Sequence, residues 1–169
     1  QVLNGISLEI KAGETVGLLG RSGCGKSTLA RCLTGLEKPD GGEVRHQGLP
    51  LGSLSKPERV AFRRAVQMVF QDSSGAVDPR CTIGEIIAEP LRYLLGLDAK
   101  ACTIRTAELL TKVGLEPRDA KKLPQQMSGG QLQRVCIARA LAPQPQLVIL
   151  DEAVSNLDLH LQVQMLDLF

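Results

Sequence analysis

The sequence predicts an α/β fold, and three observations carry that prediction. Short apolar strands alternate with amphipathic helical stretches along the chain. A glycine-rich loop, Gly20 to Gly25, lies between a strand and a helix. The run Leu147-Val148-Ile149-Leu150 is continuously apolar, as in a parallel strand covered on both faces. The 169 residues, 43% hydrophobic, suit one domain with a real core.

Ile6, Leu8 and Ile10 alternate with polar residues, Lys11-Ala12-Gly13-Glu14 turns, and Thr15-Val16-Gly17-Leu18-Leu19 reads as a second short strand. After the glycine loop a helix follows, with Leu29, Cys32, Leu33 and Leu36 at helical spacing and Gly35 near its end. Pro39-Asp40-Gly41-Gly42 is turn chemistry, and Glu43 to Leu51 reads as a strand and edge. Ser55 with Glu58 forms a capping box for a short helix ending near Arg64. Val66 to Phe70 is a buried strand. Thr82 with Glu85 caps a helix running toward Leu95, and a further helix spans about Ala99 to Val113 and stops at Gly114. Ser128 with Gln131 is a third capping box, and Leu132, Val135, Cys136 and Ala140 line one face of the helix behind it. The helical stretch 82–123 reads as a subdomain between two parts of a core, 1–81 and 124–169.

Composition removes several functions. Lys+Arg 20 against Asp+Glu 18 leaves a net charge of +2, so no basic excess exists to neutralise a nucleic-acid backbone. The aromatics, Phe62, Phe70, Tyr93 and Phe169, leave little for base stacking. No run of about 18 apolar residues occurs. The five cysteines include no C-x-x-C pair, and His46 and His160 have no metal-type spacing, so the thiols read as reduced and dispersed. The chain begins at Gln1 and stops at Phe169 within an apolar pattern, which reads as a fragment cut at both ends.

The chemistry begins at Gly20-Arg21-Ser22-Gly23-Cys24-Gly25-Lys26-Ser27, followed by Thr28. This matches G-x-x-x-x-G-K-[ST], which chance alone would produce in about one such chain in a hundred. Glycines let backbone N–H groups turn inward around a phosphate, and the helix behind adds its N-terminal partial positive charge. Lys26 is placed to reach the β- and γ-phosphates and Ser27 to ligate Mg²⁺. The apolar strand 147–150 ends in Asp151 and Glu152. Asp151 suits Mg²⁺, directly or through water, and Glu152 suits polarisation of an attacking water. Gln71 closes the strand at 66–70, and its amide offers both donors and an acceptor to metal and water. By itself it reads more readily as a polar strand end. Ser128-Gly129-Gly130-Gln131 opens a helix whose N-terminus could face a γ-phosphate; alone it reads equally well as a plain cap.

Taken together, Gly20–Ser27, Gln71, Met127-Ser128-Gly129-Gly130-Gln131, Asp151-Glu152 and Ser155-Asn156-Leu157-Asp158 stand in the order seen in ATP-binding cassette ATPases, which the whole chain resembles. The resemblance implies a P-loop NTPase fold of the cassette type, with an antiparallel β edge and a helical subdomain. It implies ATP and Mg²⁺ as ligands, Gln71 as the Q-loop glutamine, Ser128–Gln131 as the signature motif and Asp158 as the D-loop aspartate. It also implies a head-to-tail pairing with a second ATPase subunit, identical or a paralogue, in which each ATP lies between one subunit's P-loop and the other's signature motif. Gln71-Asp72-Ser73 with Asp78-Pro79-Arg80, and Asp151 to Asp158 with their Ala153-Val154 and Ser155-Asn156 pairs, resemble the branch that imports peptides and nickel. From that follow two membrane permease subunits, a periplasmic binding protein acting indirectly, and a peripheral place on the cytoplasmic face of the bacterial inner membrane. Nickel is the expected cargo, with a peptide importer as the alternative. A soluble cassette ATPase acting on nucleic acid or ribosomes fits the charge poorly. The family's adenine-stacking aromatic and switch histidine have no match here, His46 and His160 being misplaced, so this stretch alone is expected to hydrolyse ATP weakly or not at all.

Overall fold

The computed structural model describes residues 2–152. The predicted Ser155–Asp158 motif, with Asp158, lies outside the described residues, as does His160. The chain forms two compact units, 1–62 and 63–169.

In the first unit, α1 spans Lys26–Leu33 and a small antiparallel hairpin joins β1 (Arg45–His46) to β2 (Leu49–Pro50). Gln47 and Gly48, both at positive φ, make its two-residue turn. The edge predicted over 43–51 is therefore this hairpin. The helix α2, Lys56–Ala65, begins at the predicted capping box: Glu58 accepts from Ser55 N at 2.8 Å. Phe62 on α2 is buried and meets the His46 ring edge-on at 5.3 Å. The strands predicted over 6–10 and 15–19 enter no ladder among the described residues, and Leu18 and Leu19 stand exposed. Alternation marks a segment able to pair, but a strand exists only where a neighbour completes its hydrogen bonds.

In the second unit, β3 (Val66–Val69) runs parallel to β4 (Leu147–Leu150), Val66 opposite Leu147 and Val69 opposite Leu150. Gln146 N to Ala65 O (2.8 Å) and Asp151 N to Val69 O (3.0 Å) extend the pairing at both ends. The crossover carries α3 (Ile83–Leu95), α4 (Ala99–Lys112), the 3₁₀ turns Pro117–Lys121 and Pro124–Gln126, and α5 (Gly129–Leu141). Among the described residues β4 pairs only with β3 and is half-buried, so it is less enclosed than its apolar run suggested.

The helices end where the chain chemistry directs. Gly96 at φ 68° closes α3, with Leu97 N on Leu91 O and Gly96 N on Arg92 O. Gly114 at φ 69° follows α4, with Leu115 N on Leu110 O. The core joins β3 to α3, α4 and α5 through Val69, Ile87, Leu91, Leu110, Val135 and Ile137. The predicted stripe Leu132, Val135, Cys136 and Ala140 is buried, but so are Gln133, Ile137 and Ala138. α5 is thus enclosed on most sides instead of being amphipathic.

Candidate phosphate cradle and strand-end site

The loop 20–25 folds around its own lysine. Lys26 Nζ donates to Gly20 O at 2.9 Å and Arg21 O at 3.2 Å, and Cys24 N donates to Arg21 O at 3.2 Å. The ammonium is therefore held within the turn it follows. Gly23 (φ 78°) and Gly25 (φ 100°) take left-handed conformations that side chains disfavour. A Cβ on Gly25 would meet Leu3 Cδ2 at 2.8 Å, and one on Gly20 would meet Cys24 Sγ at 2.5 Å. Gly25 caps α1 with no side-chain hydrogen bond, and the first turn of α1 carries no acid. The helix dipole at this end is therefore not offset by a carboxylate of its own helix. A backbone cradle, a lysine and such a helix start fit an anion of phosphate type.

The second cluster lies in the second unit, at the ends of its parallel strands. Gln71 follows β3 and Glu152 follows β4, and the register brings them side by side. Gln71 Nε2 donates to Glu152 Oε2 at 2.7 Å. Glu152 sits at φ 51°, in the left-handed region that non-glycine residues seldom adopt. The sequence located each residue at a strand end but not their hydrogen bond, because the register that joins them arises from residues 81 apart. Asp151 continues the ladder through its N–H to Val69 O.

Ser128 caps α5 as predicted: Gln131 N donates to Ser128 Oγ at 3.2 Å, and Ser128 N donates to Gln131 Oε1 at 2.9 Å. The space where a Gly129 Cβ would stand is open. The structure also brings forward polar residues that the sequence did not single out for chemistry. Arg134 Nη1 donates to Gly114 O at 2.8 Å, tying the start of α5 to the end of α4. Arg139 Nη1 donates to Ala76 O at 2.7 Å, and Ser73 Oγ donates to the buried Gln133 Oε1 at 2.6 Å. Nothing in their spacing marks them, since each serves a contact distant in sequence.

Mg²⁺ is tested by the chemistry of its donors. Ser27 in the first unit, and Gln71 and Asp151 in the second, each carry a side-chain oxygen, the donor type that a hard cation such as Mg²⁺ takes. No group of three or more His, Cys, Asp or Glu side chains able to hold a metal occurs among the described residues.

These features define a nucleotide-binding cassette, and residues 3–155 match the family model described as ABC transporter: the chain belongs to that family. It is 65% identical, over 99% of its length, to the nickel import ATP-binding protein NikE of Rhodospirillum rubrum, and 60% identical to that of Brucella suis. The chain spans 60% and 63% of the lengths of these two relatives. Among solved structures it is similar to the dimeric post-hydrolysis state of the ATP-binding cassette MJ0796 bound to ADP and phosphate. The TM-score is 0.90 at 35% identity, covering 99% of this chain and 72% of that one. No helix among the described residues is long and apolar enough to cross a membrane.

Proposed function

We propose that this chain belongs to an ATPase subunit that energises a bacterial nickel importer. The observation that carries the ATPase reading is the Gly20–Ser27 loop wrapped on Lys26 ahead of an uncapped helix. The likeness to NikE proteins across nearly the whole chain supports nickel as the transported ion. Nickel itself is cargo handled by membrane partners, so no nickel ligand set is expected in this chain.

In this reading the loop amides and Lys26 bind and orient the β- and γ-phosphates of ATP. Ser27, Asp151 and Gln71 are the residues that would hold Mg²⁺, which when bound neutralises charge on the phosphate oxygens. Glu152 orients a water for in-line attack and accepts its proton. The Gln71 amide fixes the Glu152 carboxylate by donating to it. Ser128–Gln131, open beside Gly129, is offered to the nucleotide of a second ATPase subunit in a head-to-tail pair. Stretch 82–123 is the helical subdomain that faces the permease subunits, and the subunit lies peripherally on the cytoplasmic side of the inner membrane. Asp158, the D-loop aspartate by resemblance, is counted among the nucleotide-binding residues.

The test is nucleotide binding by the full-length chain. Lys26→Ala is expected to weaken Mg-ATP affinity at least about a hundredfold, the loss of a charge-assisted contact to phosphate. Isothermal titration checks it, and unchanged affinity would remove the phosphate assignment.

A further inference from the structure

Gln71 does not sit on a free loop. Asp72 Oδ1 accepts from Ser74 N at 3.0 Å, and a Cβ on Gly75 would strike Asp72 Oδ2 at 2.6 Å, so residues 72–75 form a tight turn. Three α5 residues, spaced three apart and so close to one stripe of the helix, hold this turn and the residue that follows it. Gln133 accepts from Ser73 Oγ at 2.6 Å, Cys136 Sγ lies 3.9 Å from Ser73 O as a weak donor, and Arg139 donates to Ala76 O at 2.7 Å. Ser73 is 7% exposed and Gln133 2%, so their bond is made away from water.

A leucine at 133 would fill such a place at lower desolvation cost. A buried amide and hydroxyl are tolerated when each is satisfied, and satisfied networks specify one geometry where apolar packing allows several. What this network specifies lies two residues upstream, where Gln71 meets Glu152. We infer that the Ser73–Gln133 hydrogen bond, braced by Arg139 on Ala76, positions Gln71 against Glu152. Ser73, Gln133 and Arg139 are then positioning residues: α5, which begins at Ser128–Gln131, also sets the geometry of the Gln71–Glu152 pair. This inference rests on the proposed ATPase function.

The experiment measures ATP turnover of the full-length chain, expressed per ATP-binding site by titration so that any unfolded fraction divides out. Ser73→Ala and Gln133→Met are each expected to lower kcat about tenfold with KM within about twofold, since they disturb chemistry and leave the phosphate cradle alone. The double variant is expected to lose no more than the worse single one. The decisive arm is a Gln71→Ala background, in which Ser73→Ala is expected to change the residual kcat less than twofold. Unchanged kcat per site in the single variants would overturn the inference. So would a full additional loss in the Gln71→Ala background, which would reveal a general structural role. A wild-type chain with no Mg-ATP turnover would overturn the proposed function itself, an outcome distinct from an active wild type indifferent to these substitutions.

Discussion

Glu152 combines an uncommon backbone conformation with a side-chain contact from a distant part of the chain. Its φ is 51°, in the left-handed region, and its carboxylate accepts from Gln71 Nε2 at 2.7 Å. The Glu-at-strand-end pattern was legible in the sequence, but the left-handed turn was not, because a non-glycine residue in that region has no compositional signal. The cysteines illustrate the opposite case. Cys24 is exposed in the loop, whereas Cys136 is buried on α5, where burial pushes its thiol pKa up. Thiolate is the reactive form, so a maleimide at neutral pH is expected to modify Cys24 at least about tenfold faster than Cys136. Peptide mass spectrometry after timed quenching reads the two rates. Mg-ATP is expected to slow the labelling of Cys24 only, because Cys24 lies inside the proposed phosphate loop.

At the scale of the element, α3 was the most legible part of the chain. Thr82 and Glu85 make the box seen in the sequence: Thr82 N donates to Glu85 Oε2 at 2.7 Å and Glu85 N to Thr82 Oγ1 at 3.3 Å. What the sequence does not display is the close approach of its first turn to the 3₁₀ turn 117–121. A Cβ on Gly84 would lie 3.0 Å from Ala120 O and 3.3 Å from Ala120 Cβ. Two substitutions separate local from tertiary effects, with chemical denaturation as the measurement. Thr82→Ala is expected to cost about 1 kcal/mol through the lost cap. Gly84→Ala would gain up to about 1 kcal/mol of helix propensity in an isolated helix, yet is expected to be net destabilising because the backbone of Ala120 must move. A stabilised Gly84→Ala chain would show that the two elements separate without cost.

At the scale of the molecule, stability comes from the shared core of β3, α3, α4 and α5 and from carboxylates held in their ionised form. Ile87 is fully buried in that core, and Ile87→Ala is expected to cost about 2–5 kcal/mol. Several carboxyls lie below their ordinary range: Asp119 through the Lys122 ammonium, Glu85 through the hydrogen bonds of Thr82, and Asp78, at about 2, through Arg80. A carboxyl whose folded pKa is depressed stabilises the fold above its unfolded value and loses that contribution as pH falls through the folded one. Stability is therefore expected to be level above about pH 5 and to decline from about pH 4 downward. Asp119→Asn is expected to lower stability at neutral pH and flatten that decline, and thermal melts across pH check both.

The sequence by itself determined what is local. The glycine loop with its lysine, the capping boxes, the glycine helix stops and the acidic strand end each depend on residues within a few positions of one another, where steric and hydrogen-bond rules act without the rest of the fold. Tertiary structure decided what depends on partners distant in the chain. It left 6–10 and 15–19 without a ladder among the described residues, enclosed α5 on most sides, set Gln71 on Glu152 through the parallel register, and buried Ser73 against Gln133. The physical reason is the same in each instance. A ladder bond, a buried polar pair or a packed helix face requires two segments, and a pattern read along one segment carries no record of the other.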